Sequence, residues 1–139
     1  QNKSVFLSRG DDSGTNKKEY SLWLAGKINT IKASGGWYRQ TGSGMGATLN
    51  MASAMNAYTL ADRGTWLAFK NKGNLRVLLE GDNRLINPYG AILVNPKRHP
   101  HVKAATGKRL IDWLISKEGQ SAISAFKING EQLFSSAVN

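Results

Sequence analysis

The chain contains no cysteine. That excludes a disulfide framework, a thiolate metal site and a cysteine nucleophile. Only two histidines are present, and nine acidic residues stand against nineteen Lys and Arg, for a formal charge of +10. His99 and His101 flank Pro100 in "RHPH" without clustered carboxylates nearby, so they read as exposed loop residues rather than metal ligands. Proline is limited to three residues, and no apolar run approaches the roughly 20 residues that a membrane helix needs. No secretory signal is visible at the start. The chain opens on Gln1 and enters "SVFLS" almost at once, which reads as a processed chain or a fragment picked up just before a strand.

What is present is enough for a core. The 139 residues are 40% hydrophobic, with four each of Trp, Tyr and Phe, which argues against disorder. The basic residues run from Lys3 to Lys127 and never exceed pairs such as Lys17-Lys18 and Lys108-Arg109. A nucleic-acid-binding module is the rival reading of such a charge. Without a concentrated basic arm, a solvated basic surface that steers anions is the better one.

Strand-like and helix-like segments alternate. "SVFLS" (4–8) is a short apolar strand. From Thr15 the period changes: Tyr20, Trp23, Leu24 and Ile28 recur at helical spacing, with Thr15 or Ser13 as cap. Residues 30–40 are turn-rich, broken at Gly35-Gly36. "TGSGMGATLNMASAMNAY" (41–58) is a glycine-rich loop opening a helix, with Met45, Leu49, Ala52 and Met55 on one face. "YTLAD" (58–62) is strand-like, and Asp62 caps a short helix that Gly73 stops. "NLRVLLEGD" (74–82) and the apolar "NPYGAILVNP" (87–96) read as strands, the second one buried. Val102, Ala105, Leu110, Trp113 and Leu114 mark a helix face within 99–120, a second helix follows over 119–127, and the tail is turn-like, then irregular. The fold class is α/β with a mostly parallel or mixed sheet flanked by helices, and the candidate boundary is the polar stretch 80–90.

Two segments share one design. "SRGDDSGT" (8–15) and "TGSGMG" (41–46) each place glycines and hydroxyls just before a helix. A helix N-terminus leaves backbone N–H groups without intrahelical partners and carries partial positive charge. Glycine lets a guest approach the backbone, so the pair of loops suits an anion. Arg9 adds a full charge with fork-shaped donors that match an oxyanion, and Asp11 or Asp12 braces it. "GSGMG" satisfies neither the phosphate-loop nor the dinucleotide pattern. No serine elbow or nucleophile–base pair is readable, so the chain is not expected to be an enzyme. Asp62-Arg63 is a cap with an ion pair or, second, a further element lining the same cleft.

The segments "SRGDDSGT", "GWYRQTGSGMGATLNMASAMNAYTLADRGTW", "EGDNRLINPYGAILVNPKRHPHV" and "IDWLISKEGQSAISAFKINGEQLF" together resemble, in order and over nearly the whole chain, the periplasmic tungstate-binding proteins of ABC transporters. These are type II periplasmic binding proteins, related to molybdate- and phosphate-binding proteins. The resemblance implies a two-lobed α/β protein, exported to the periplasm or cell exterior, that closes on tungstate or molybdate and delivers it to an ABC permease. It implies no cofactor and no protein-bound metal cation. The implied ligand residues are Arg9, Ser13, Gly14 and Thr15, with Ser8, Asp11, Ser43, Gly44 and Met45 beside them. Arg9, Asp11, Ser13, Gly14 and Thr15 also fit the pattern of the phosphate-binding relatives, which makes phosphate the alternative ligand. The family's N-terminal half, with its own Thr/Ser-rich anion loop, has no counterpart here. Residues 1–85 then correspond to the second, ligand-binding lobe, and residues 86–139 to the returning strand and C-terminal helices of the first. A missing lobe or a second chain is the implied partner. Asn16 stands where the family carries histidine after Ser-Gly-Thr, a change of small expected consequence.

Overall fold

The computed structural model describes residues 4–136. Lys3 and the end of the expected irregular tail lie outside the described residues. The chain divides into two compact units, Gln1–Ile86 and Asn87–Asn139.

The first unit is built on three short parallel strands: β1 (Phe6–Ser8) lies between β2 (Tyr38–Gln40) and β3 (Tyr58–Thr59). Helix α1 (Gly14–Ala25) joins β1 to β2, α2 (Met45–Met55) joins β2 to β3, and α3 (Arg63–Ala68) follows β3. The sheet is parallel throughout, as strand–helix–strand connections require. Side chains alternate across a strand, and this sorts the two long helices. Phe6, Ser8 and Tyr38 point to the α1 face. Phe6 meets Trp23 edge-on at 5.0 Å between ring centroids, and Asn16 and Glu19 of α1 bond to Ser8 and Tyr38. Leu7 points the other way, into a cluster with Ala52 of α2 and Ala57.

The α2 face is apolar as its spacing predicts: Met45, Leu49 and Ala52 are buried, whereas Met55, at the last turn, is exposed. The expected α1 face is not the observed one. Leu24 is 80% exposed, and Tyr20 and Ile28 are also exposed, while the buried positions of the helix are Asn16 and Glu19. The sheet face opposite α1 carries hydroxyls at Ser8 and Tyr38, so it takes polar partners. Asp62 caps α3 as expected, its carboxylate accepting from Thr65 N–H at 2.8 Å. The helix stops at Ala68 rather than at Gly73.

Two expected strands are not formed. Val77, Leu78 and Leu79 are exposed and lie in no strand or helix. The same holds for 90–95, where Ile92 is 91% exposed instead of buried. Apolar composition marks a segment for burial, but a strand needs a neighbour to complete its backbone bonds. Neither segment finds one among the described residues. Conversely, β2 lies in a stretch that reads as turn, and it forms because β1 pairs with it.

The second unit holds α4 (Ala104–Leu114), α5 (Lys117–Ala125) and a hairpin of β4 (Lys127–Ile128) with β5 (Glu131–Gln132). Helix α4 half-buries Gly107, Ile111 and Leu114; of the expected inward face Val102 and Leu114 are half-buried, whereas Ala105, Leu110 and Trp113 are exposed. Ser116 caps α5. At the α4–α5 corner a Cβ on Gly119 would collide with the Trp113 carbonyl oxygen, so only glycine fits there. No helix of the described residues is long and apolar enough to cross a membrane.

Candidate functional site

In the register of the sheet Ser8 stands opposite Gln40. Strands β1 and β2 therefore end at the same level, and the turns that follow them leave one edge together. They are also bonded to each other. Thr41 N–H donates to the Ser8 carbonyl at 2.9 Å, and the Thr41 hydroxyl to the Arg9 carbonyl at 3.4 Å. The N-termini of α1 and α2 consequently open at a single edge, from opposite faces of the sheet. The carboxyl edge of parallel strands is where open α/β sheets bind ligands.

The first turn is tight. Gly10 and Asp12 have φ of 61° and 57°, and an ideal Cβ on Gly10 would stand 2.8 Å from Gln40 Cβ. Arg9 is largely covered, its side chain 19% exposed. It donates from Nε (3.1 Å) and a terminal nitrogen (2.5 Å) to Asp11 Oδ2. Asp11 is thus the brace, and Asp12 instead pairs with Lys17 at 3.2 Å on the surface. Asp11 Oδ1 accepts from Ser13 N–H at 3.3 Å. A hydrogen bond from Ser13, and after it those from Arg9, hold the Asp11 carboxyl below its ordinary value of 3.8.

A pH dependence follows. A carboxyl whose folded pKa is lowered contributes stability in full above its unfolded pKa and loses it as pH falls through the folded value. The Arg9–Asp11 link should therefore persist as pH drops below 3.8 and break only at the lower value. Carbon NMR of the Asp11 carboxyl checks this: its midpoint is expected below 3.8, and higher in Ser13→Ala than in wild type. A wild-type midpoint at or above 3.8 contradicts it.

Ser13 is the N-cap of α1, its hydroxyl accepting from Asn16 N–H at 3.3 Å. Gly14 begins the helix exposed, and Thr15 is half-buried beside it. Ser8 is buried. Its hydroxyl oxygen accepts from Gly10 N–H (3.2 Å) and Asn16 Nδ2 (3.0 Å), so it holds the turn from beneath. In the second turn Ser43 N–H donates to the Thr41 hydroxyl (3.3 Å) and the Ser43 hydroxyl to the Thr41 carbonyl (3.2 Å). Gly44 is the N-cap of α2 and supplies no side-chain cap. Met45, the first residue of the helix, buries its side chain in the core, so only its backbone can face a guest.

Three residues of this edge escape sequence reasoning. Thr41 ties the two turns together. Thr48, fully buried, shares a 2.8 Å hydrogen bond with Thr41 and reaches the Gly44 carbonyl at 3.1 Å. Asn16 is 2% exposed and bridges Ser8 to Asp12 N–H (3.1 Å), which is not the peripheral place its residue type suggests. Below it Glu19, also buried, accepts from Tyr38 (2.8 Å) and Trp23 Nε1 (2.9 Å) on one oxygen. Burial, first of all, pushes the Tyr38 phenol far up, so Tyr38 keeps its proton and donates it. Asp62 stays a cap, with Arg63 paired to Glu80 at 2.7 Å. His99 and His101 are exposed. Among the described residues no group of three or more His, Cys, Asp or Glu could hold a metal ion.

Parallel strands, alternating helices and two helix N-termini at one sheet edge define an α/β domain of the kind built on strand–helix–strand units. Residues 1–118 match the PBP superfamily domain, and the chain belongs to that superfamily. A protein of Peptoclostridium acidaminophilum described as the tungstate-binding protein TupA is 43% identical over 126 residues, 91% of this chain and 43% of that protein. The solved structure of the tungstate-binding protein TupA from Desulfovibrio alaskensis G20 matches with a TM-score of 0.82 at 39% identity, over 99% of this chain and 56% of that one. A structure described as the tungstate ABC transporter from Geobacter sulfurreducens matches with a TM-score of 0.78 at 45% identity, over 88% of this chain and 51% of that one. The chain spans about half the length of these relatives.

Proposed function

We propose that the chain is the anion-gripping part of the solute-binding component of an ABC importer. Its ligand is a tetrahedral oxyanion, tungstate or molybdate, captured outside the cytoplasmic membrane and handed to a permease. No bond is made or broken. The observation that carries the reading is the single sheet edge at which Arg9 and the N-termini of α1 and α2 meet. Arg9 supplies charge-assisted donors. The hydroxyls of Ser13, Thr15 and Ser43 and the first N–H groups of the two helices, at Gly14, Thr15, Gly44 and Met45, supply the rest. The relatives named for tungstate support the choice of guest.

The chemistry of Asp11 favours tungstate over phosphate. Hydrogen phosphate carries a proton that needs an acceptor in the site. Asp11 already receives Arg9 on one oxygen and Ser13 on the other, and the Asp12 carboxylate is turned to solvent against Lys17. With three of its roughly four acceptor positions taken, Asp11 is a poorer acceptor for that proton than an unpaired carboxylate, and Asp12 is turned away from the turn, so a fully deprotonated dianion fits these groups better.

The second wall of the cleft belongs, on this reading, to the part of the fold that the relatives have beyond the matched region, on the same polypeptide or on a second chain. Residues 1–85 are then the ligand-binding lobe and residues 86–139 belong with the other. The exposed apolar runs at Val77–Leu79 and, separately, at Ile92–Val94 supply surface for such a partner. Isothermal titration calorimetry with tungstate, molybdate, sulfate and phosphate in turn tests the function. Tungstate or molybdate should bind one to one, and phosphate at least about tenfold more weakly, a difference of about 1.4 kcal/mol. Equal or tighter phosphate binding would reverse the choice of ligand.

A further inference from the structure

The floor of the Arg9 turn is a buried chain of hydrogen bonds with a fixed direction. Glu19 is an acceptor only, so Tyr38 donates to it. The Ser8 oxygen takes two N–H donors, from Gly10 and Asn16, so the Ser8 proton points away from both. Because the Asp12 N–H can only donate, the amide oxygen must face it, and the Asn16 amide has one orientation. Its NH2 faces Ser8, and its oxygen faces Asp12 N–H. That last bond pins a residue held at φ 57°, a conformation a non-glycine residue keeps only when its surroundings impose it.

We infer that Asn16 is a positioning residue: it clamps β1 to the Arg9 turn and so aims the Arg9 guanidinium and the first turn of α1 at the guest. The inference rests on the oxyanion reading of the site for its consequence, but the clamp itself is observable without any ligand. Asn16 touches no guest. It acts through Ser8 and Asp12, which bracket Arg9 and Asp11 in the sequence. Removing the amide leaves the Asp12 N–H without its partner and lets Asp12 leave its left-handed conformation. The Arg9–Asp11 pair then loses its fixed place, although α1 keeps its Ser13 cap.

The test compares wild type with Asn16→Ala by ¹⁵N NMR of the chain without ligand. The readout is the Arg9 Nε–H signal, which reports the 3.1 Å bond to Asp11. In wild type it should be displaced from the free-arginine position and slow to exchange. In Asn16→Ala it should move towards that position and broaden, while the amide signals of α2 stay in place. Calorimetry then should show oxyanion affinity lower by about ten- to hundredfold, the range by which loss of an orienting partner weakens metal sites.

An unmoved Arg9 signal overturns the inference. So does a shift of the α2 signals together with it, which marks general loosening rather than a clamp. If wild type binds tungstate and Asn16→Ala binds it equally well, the clamp has no bearing on the site and the inference also fails. If wild type binds no oxyanion, the proposed function fails, while the Arg9 signal still decides the clamp. Ser8→Ala removes a single oxygen from the same chain and serves where Asn16→Ala does not fold. It should displace the Arg9 signal in the same direction, and no displacement counts against the inference.

Discussion

Arg9→Ala is expected to weaken tungstate binding about a hundredfold or more, measured by calorimetry against wild type. A hydrogen bond to a charged group contributes about 1.5–3 kcal/mol net. A guanidinium can offer two such bonds side by side to one oxyanion. Losing about 3 kcal/mol corresponds to about a hundredfold in the dissociation constant. The guanidinium is largely covered and held by Asp11 at 2.5 and 3.1 Å, so its orienting cost is met before the guest arrives. Arg9→Lys keeps the charge and loses the fork, and should fall between the two. The pair with Asp11 also means that attraction here comes from directed donors more than from net charge. An Arg9→Ala protein that binds within about threefold of wild type, a difference of about 0.7 kcal/mol, contradicts the assignment.

Leu49→Ala should cost about 2–5 kcal/mol of stability in the first unit, the range for emptying a buried leucine site. Leu49 is 1% exposed, one turn from Met45 on the inward row of α2. Its loss removes both transfer energy and packing, and a helix pinned between two parallel strands closes such a gap poorly. Urea denaturation followed by tryptophan fluorescence gives the midpoint, and the denaturant slope shows whether the transition keeps its character. The same change should weaken oxyanion binding, because α2 carries Gly44 and Met45 to the sheet edge. A cost below about 1 kcal/mol would show that α2 is not fixed on the sheet as described.

Local signals explain which parts of this structure were readable. Strand β1, the start of α1, the inward row of α2 and the Asp62 cap rest on period and capping, and both are written within a few residues of the element. Arg9 stood out because a charge among glycines and hydroxyls is chemically conspicuous. Strand β2 was not readable, since three residues become a strand by pairing with β1, and pairing is a long-range fact. The runs at 77–79 and 91–94 were overread for the complementary reason. Their composition announces burial without saying against what. Asn16 and Glu19 were hidden because a buried polar residue in "NKKEY" looks like a surface one. Only the opposing hydroxyls of Ser8 and Tyr38 show why they turn inward, and those lie 8 and 19 residues away.

The central claim is that Arg9 and two helix N-termini form one oxyanion grip. Titrating the ¹⁵N-labelled chain with tungstate to millimolar concentration tests it most directly, because fast-exchange NMR reads even weak binding. The Arg9 Nε–H signal and the amides of Gly14, Thr15, Gly44 and Met45 should move together along a single saturating curve, and phosphate should move them far less. If tungstate leaves these signals unmoved, or moves Arg9 while the amides of Gly44 and Met45 stay still, the two turns do not form one site and the claim is wrong.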